Sequence, residues 1–219
     1  MKIIVCGDSF CADKHNNSWM HQLSLLLNAT VNSYGQAGCS NYFISEQYKN
    51  NNSDQYEIAI IVKTEYRRVP YIKNMPNKCC LYFVERLQEI SKFERLPENF
   101  KEAVKLYLEY FHNFELCKDI SDYSLLKIIN LKPQKQKIIW LSSTSNEDFK
   151  IFPIFNKNIP DNSIFIDGGL LNFVVQNEDK TTLNHLSPQN NYNLAVFLKD
   201  VILNENANRD LSKHNWTSN

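Results

Sequence analysis

Residues 1–10 of the chain read MKIIVCGDSF, and the apolar run Ile3–Cys6 within them decides the fold. An unbroken apolar run that stops at Gly7 and Asp8 is typical of a central parallel strand, which is covered on both faces and shows no polar alternation. The run is too short to be the core of a signal peptide. We therefore expect a cytoplasmic protein whose chain begins with a strand inside a sheet.

Helices and strands alternate after this first strand. Residues 18–28 place apolar side chains at helical spacing behind a serine suited to an N-cap, and residues 29–32 are predicted to form a second strand. A short helix over 41–49 and a fully apolar third strand over 58–62 follow. Such alternating units favour a doubly wound α/β fold with a mostly parallel sheet.

The second half of the chain continues this pattern after an interruption. Residues 77–131 contain more helical periodicity than one crossover needs, which predicts a helical insertion between strands three and four. Strands are expected at 137–141 and 163–166, and a last helix is expected to start at Ser187-Pro188. The polar tail after Asn204 is expected to fray. No linker or repeat divides residues 1–219, which predicts a single domain.

The composition excludes several classes of function. Lys and Arg together number 24 and Asp and Glu together number 24, so the zero net charge argues against nucleic acid or an anionic membrane as partner. No apolar run approaches the roughly 20 residues that span a bilayer. The six cysteines form no CxxC pair, which favours reduced thiols. Neither metal-ligand spacing nor a phosphate-binding loop is present, so no metal and no cofactor is predicted.

Side chains that directly follow the strands are the first candidates for chemistry, because ligands of open α/β sheets bind at the carboxyl ends of the strands. Ser9 follows strand one, where a tight turn leaves its hydroxyl exposed as a nucleophile. His185, on a loop before the last helix, is the candidate base. Arg67 and Arg68 are suited to hold an anionic group. Candidates for a flat apolar wall are the aromatic residues at or near strand ends, Tyr34, Tyr42, Tyr66 and Trp140.

Several short motifs occur in an order that resembles the SGNH (GDSL) hydrolase superfamily, above all its compact members in phages and bacteria. They are Gly7-Asp8-Ser9-Phe10, Ser18-Trp19, Ala37-Gly38-Cys39-Ser40-Asn41, Thr64-Glu65-Tyr66-Arg67-Arg68 and Asn184-His185-Leu186-Ser187. This resemblance implies a flavodoxin-like three-layer α/β/α sandwich. It also implies ester hydrolysis through an acyl-enzyme, with Ser9 as nucleophile and His185 as base.

The resemblance further implies an oxyanion hole formed by the backbone N–H groups of Ser9 and Gly38. The family's additional donor, an asparagine after strand three, is absent here. Thr64 and Asn41 are the candidates to replace it.

The catalytic acid also departs from the family pattern, because Thr182 stands three residues before His185 where the family has an aspartate. Asp179, Glu178 or a backbone carbonyl group are the alternatives that could orient the imidazole.

These features predict a serine esterase that acts on a small acyl ester, either O-acetyl groups on a glycan or lipid esters. The alternative is an inactive protein of the same fold that serves as a binding or virion-assembly module. A flavodoxin-like protein that binds a nucleotide or flavin is a third interpretation, but the sequence lacks the phosphate-binding loop that such a protein needs. Hydrogen-bond reach between Ser9 Oγ and His185 would favour the enzyme.

Overall fold

A five-stranded parallel sheet runs through the middle of the protein, in the order β2-β1-β3-β4-β5. The computed structural model describes residues 1–12, 15–66, 68, 99, 102–103, 106, 109–110, 113–144, 160–174 and 186–216. The strands are β1 (Lys2–Gly7), β2 (Thr30–Ser33), β3 (Ile58–Lys63), β4 (Lys137–Ser142) and β5 (Ser163–Gly169). All four strand pairs are parallel, which confirms the predicted α/β fold and the predicted strands.

Helices cover both faces of this sheet. They are α1 (Trp19–Leu27), α2 (Asn41–Asn51), α3 (Phe114–Leu131) and α4 (Pro188–Leu203). The predicted caps are in place, since Ser18 accepts a hydrogen bond from the His21 N–H and Ser187 accepts one from the Asn190 N–H. These helices complete the three-layer sandwich that the resemblance implied.

The two faces of β1 belong to two separate apolar cores. Ile3 and Val5 pack into the core that contains α1 and α4, whereas Ile4 and Cys6 pack into the core that contains α2 and α3. Successive side chains of a strand point to opposite faces, so a strand buried between two helical layers must be apolar at every position. This geometry explains why Ile3–Cys6 shows no polar alternation.

The end of the predicted insertion is a regular crossover helix. Helix α3 buries Leu125 and Ile128 in the same core as Ile44 and Tyr48 of α2. The described residues between 99 and 110 are helical and exposed, and residues 69–98 lie outside the described part of the chain. The predicted insertion over 77–131 therefore includes, at its carboxyl end, a helix that belongs to the sandwich itself.

The expectation of a frayed tail after Asn204 is wrong for its described residues, which end at Trp216. Leu211 is completely buried, and Asp210 forms a parallel bridge with Asp167 of β5. The Trp216 ring stacks on Phe173 with 4.1 Å between ring centroids. Polar composition hid this arrangement because few apolar side chains of the segment pack on the core, namely Ala207, Leu211 and Trp216.

The described cysteines Cys6, Cys11, Cys39 and Cys117 are free and buried, as predicted for reduced thiols. None of the described helices combines the length and the apolar character that crossing a membrane requires.

Helix α3 also carries a buried carboxyl group. Asp122 is only 2% exposed, and its Oδ1 atom has no hydrogen-bond partner among the described residues. Burial raises the pKa of Asp122 to about 7, although the positive charges of Lys118 and Lys63 oppose the shift. The negative charge of Asp119 adds to it. Ionisation of Asp122 therefore costs the folded protein stability.

The tail is tested by two matched leucine substitutions. Leu211→Ala removes a completely buried side chain and should lower the free energy of unfolding by about 2–4 kcal/mol. Leu203→Ala truncates a side chain that is 65% exposed and should change it by less than about 0.5 kcal/mol. Urea denaturation measures both, and equal small effects would show that the tail is frayed.

Asp122→Asn should stabilise the protein increasingly as the pH rises. Between about pH 4 and pH 7 the folded state holds a proton on Asp122 that the unfolded state has lost, so raising the pH through this window destabilises the wild type. Asparagine carries no such penalty, and its advantage should reach about 1–4 kcal/mol above pH 7.

Denaturant unfolding at pH 5 and pH 8 measures this advantage. The control is Asp54→Asn, which changes an exposed aspartate outside α3 and should alter stability by less than about 0.5 kcal/mol at both values. An Asp122→Asn advantage that shrinks with rising pH would contradict the predicted direction.

Candidate active site

The topological switch point of the sheet lies between β1 and β3. The chain leaves β1 and returns as β2 on one side, whereas β3 pairs with the other side of β1. The connections diverge at such a point and leave a crevice at the carboxyl ends of the two strands. Asp8-Ser9 follows β1 and Thr64 follows β3, so the predicted nucleophile borders the crevice where this fold binds ligands.

Ser9 is the first residue of a short 3-10 helix, Ser9–Cys11, and its side chain is half-buried. The Asp8 carboxylate caps this helix by accepting a hydrogen bond of 3.1 Å from the Phe10 N–H. Within the described residues, the Ser9 N–H donates to no acceptor. A free amide at the first turn of a helix is suited to stabilise a negative charge.

The loop that carries Gly38 is bound directly to the end of β1. The Gln36 N–H donates to Gly7 O over 3.0 Å, and the Cys39 thiol donates to the same oxygen over 3.3 Å. Gly38 has a φ of 75°, in the left-handed region that favours glycine. In the part of the chain that the structure describes, its N–H also has no acceptor. The two predicted oxyanion donors therefore sit on segments that are both tied to Gly7.

Two residues that sequence reasoning missed shape this site. Gln47 of α2 is 6% exposed, accepts a hydrogen bond of 2.9 Å from the Gly7 N–H and donates one of 3.2 Å to the Gly7 carbonyl. Gly35 packs on the backbone of Cys11, since a Cβ atom there would lie 2.3 Å from the Cys11 carbonyl carbon. Gln47 lies on the same helix face as the buried Ile44 and Tyr48. A polar side chain on a buried face needs a hydrogen-bond partner, and this was the signal in the sequence that could have identified Gln47.

Arg68 lies in the crevice and is held by acidic groups. Its Nη1 atom is 3.4 Å from Asp8 Oδ2 and donates to Cys39 O, and its Nε donates to Glu65 Oε1 over 3.2 Å. Burial raises the pKa of the Asp8 carboxyl, whereas the Arg68 guanidinium and the Phe10 N–H act to lower it. The positive charge of Arg68 is thus largely balanced within the protein.

Asn41 connects three elements beneath the site. Its Nδ2 donates to Thr64 O over 2.8 Å and to Ser121 Oγ over 2.7 Å, and its Oδ1 accepts from the Thr64 N–H over 2.9 Å. Both amide hydrogens are therefore occupied within the protein. The Thr64 hydroxyl is buried beside Asp8 and acts to lower the pKa of that carboxyl.

The other predicted site residues do not all lie at the crevice in the described part of the chain. Tyr66 is half-buried on the loop after β3. Trp140 does not form a wall of the crevice, because it is 1% exposed and stacks on Phe165 in the core beneath α2 and α3. His185, Asp179 and Glu178 lie outside the described residues.

Other nucleophiles and metals receive no support from the described residues. Burial raises the pKa of the Cys11 thiol and of the Cys39 thiol, so neither carries a thiolate near neutral pH. Across the described ranges, no cluster of three His, Cys, Asp or Glu side chains could hold a metal ion. Ser9 stays the predicted nucleophile at the end of β1.

Solved esterase structures are similar to this protein. A carbohydrate esterase family 2 enzyme with a carbohydrate-binding domain, from Corynascus thermopiles (Myceliophthora fergusii), is 11% identical over 92% of this chain and 65% of that chain, with a TM-score of 0.51. An acetyl xylan esterase from Butyrivibrio proteoclasticus is 11% identical over 93% of this chain and 63% of that chain, with a TM-score of 0.50.

A member of the lipolytic protein G-D-S-L family from Veillonella parvula is 16% identical over 94% of this chain and 99% of that chain, with a TM-score of 0.45. No protein-family model and no curated protein matches the chain. At such low identities the similarity to the two esterases shows the fold alone. The predicted α/β fold is thus confirmed, since this chain shares its fold with solved esterases.

Proposed function

We propose that this protein is a serine esterase of SGNH type, which hydrolyses a small acyl ester through an acyl-enzyme. The observation that carries the proposal is the position of Ser9, on a helical turn at the carboxyl end of β1 and beside the switch point of the sheet. The N–H groups of Ser9 and Gly38 support it, since both are unpaired among the described residues and both belong to segments anchored at Gly7.

In the proposed reaction Ser9 Oγ attacks the ester carbonyl carbon while His185 takes the hydroxyl proton. The carbonyl oxygen becomes an oxyanion, which accepts hydrogen bonds from the Ser9 and Gly38 N–H groups. Collapse of the tetrahedral intermediate breaks the bond to the alcohol oxygen, and His185 returns the proton to that oxygen. Water then attacks the acyl-enzyme with the same proton transfers, which releases the carboxylic acid and restores Ser9.

The proposed reaction also needs groups that orient the base and complete the oxyanion hole. Asp179 is proposed to orient the His185 imidazole, with Glu178 or a backbone carbonyl as the alternatives. Thr64 and Asn41 are proposed to complete the oxyanion hole. For Asn41 this role requires release of one of its two donated hydrogen bonds, to Thr64 O or to Ser121 Oγ.

Among the described residues, the charges beside Ser9 favour an uncharged substrate. Arg68 and Tyr66 are proposed to contact the substrate, and the Arg68 charge is already balanced by Asp8 and Glu65. A neutral acetylated glycan fits this balance better than an anionic lipid does. One of the solved structures with this fold is named an acetyl xylan esterase and another a carbohydrate esterase, which supports acetyl-ester hydrolysis as the first activity to assay.

Labelling with a fluorophosphonate, which reacts with activated serines, tests the proposal. The wild type should be labelled and should release acetate from acetylated xylan. Ser9→Ala and His185→Ala should lower both rates by at least about 1000-fold, because each removes a member of the catalytic pair. The control is Ser45→Ala, which removes a buried hydroxyl of α2 that donates to Tyr42 O and should leave both rates within about 2-fold.

Folded wild type that shows neither labelling nor ester hydrolysis would refute the esterase. The binding or virion-assembly module of the same fold would then be the better interpretation. Labelling that persists in Ser9→Ala would place the nucleophile elsewhere.

A further inference from the structure

We propose that Trp19 and Asn191 are positioning residues that hold the backbone beside Ser9 and the backbone beside His185 in one fixed relation. This inference rests on the proposed function, because it assigns a role relative to the proposed nucleophile and base. Trp19 occurs in one of the quoted motifs without an assigned role, and Asn191 lies outside all of them. Both are buried, with exposures of 1% and 9%.

Trp19 forms the half of this link that reaches the nucleophile. Its indole Nε1–H donates a hydrogen bond of 2.8 Å to the carbonyl oxygen of Phe10, the residue after Ser9. Trp19 is the first residue of α1, and its ring is anchored in the core between α1, α4 and the sheet. The indole has a single donor, so this bond uses the entire hydrogen-bonding capacity of the side chain.

Asn191 of α4 forms the half that reaches the segment directly after the proposed base. Its Oδ1 accepts a hydrogen bond of 3.0 Å from the backbone N–H of Trp19. Its Nδ2 donates to Leu186 O over 3.0 Å and to Ser187 O over 3.2 Å. Leu186 and Ser187 directly follow His185 in the chain. The hydrogen bonds therefore run without a gap from Phe10 through Trp19 and Asn191 to the residue after His185.

A purely structural role explains only part of this arrangement. The N-terminal N–H groups of a helix need acceptors, and Asn191 Oδ1 meets that need for Trp19 while Ser18 caps the His21 N–H. Capping of α1 does not require the two bonds from Asn191 Nδ2, which go to Leu186 O and Ser187 O at the start of α4. Because the link is buried and each of its polar groups is paired, it has little freedom to change length.

The link matters for chemistry because proton transfer between Ser9 and His185 depends steeply on their separation. A displacement of 1 Å at reacting groups can lower the rate about 100-fold. Asn191→Asp keeps the acceptor for Trp19 but replaces the donor to Leu186 O and Ser187 O with a second oxygen. Trp19→Phe keeps an aromatic ring but loses the donor to Phe10 O. Each variant breaks the link at a different end.

The test is the second-order rate of fluorophosphonate labelling at Ser9, measured from pH 5 to pH 9 well below the melting temperature of each folded variant. Asn191→Asp and Trp19→Phe should each slow labelling about 10- to 100-fold. They should shift the pH midpoint of labelling and lower kcat for an acetyl ester while KM changes by less than about 3-fold.

The matched control is Tyr48→Phe, which removes a buried hydrogen bond to Gln136 on the opposite face of the sheet. It should label at the wild-type rate with the wild-type pH profile, even where its melting temperature falls as far as those of the other variants. A general loss of stability is thereby separated from a loss of positioning.

The inference is overturned if the wild type is labelled and both Asn191→Asp and Trp19→Phe react within about 2-fold of it with an unchanged pH profile. The proposed esterase function would then stand. Equal slowing of Tyr48→Phe would overturn it as well, because the effect would then follow stability. Folded wild type that is not labelled would refute the proposed function, and this inference would fall with it.

Discussion

The buried amide of Gln47 bonds to both backbone hydrogen-bonding groups of Gly7. The Gly7 carbonyl also accepts from the Gln36 N–H and the Cys39 thiol, and the rest of the site depends on these contacts. A parallel strand that ends inside the protein leaves backbone groups without a partner strand, and buried groups of this kind must be paired. Pairing through Gln47 keeps the end of β1 in place against α2. The turn that carries Ser9 and the loop that carries Gly38 both start from this fixed point.

The carboxyl end of the sheet is built differently from its centre. The centre is apolar on both faces, whereas the crevice is surrounded by buried polar side chains, among them Asp8, Asn41 and Thr64. Burying such groups costs free energy unless each is paired, and here Asn41 uses its acceptor and both hydrogens within the protein. The polar groups therefore add directional constraints to a fold whose stability comes from its apolar layers.

Local features of the sequence were enough to predict most elements. Ser18, Ser187 and Pro188 mark helix starts through capping and a preset φ angle, which depend only on neighbouring residues. The attached tail and the burial of Trp140 were not predicted, because both depend on contacts between segments far apart in the chain. The Gln47 contact spans 40 residues, and no local pattern specifies the partner of a polar side chain at that distance.

The sequence by itself determined that a doubly wound parallel sheet forms and that Ser9 follows its first strand. Hydrophobic periodicity, helix caps and strand ends depend only on residues that are close together in the chain. Only the tertiary structure decided which groups meet there. It paired Arg68 with Asp8, occupied the Asn41 amide, and joined the Ser9 turn to α4 through Trp19 and Asn191. Such pairings follow from the packing of layers, since a buried polar group bonds to whatever partner the fold brings within reach.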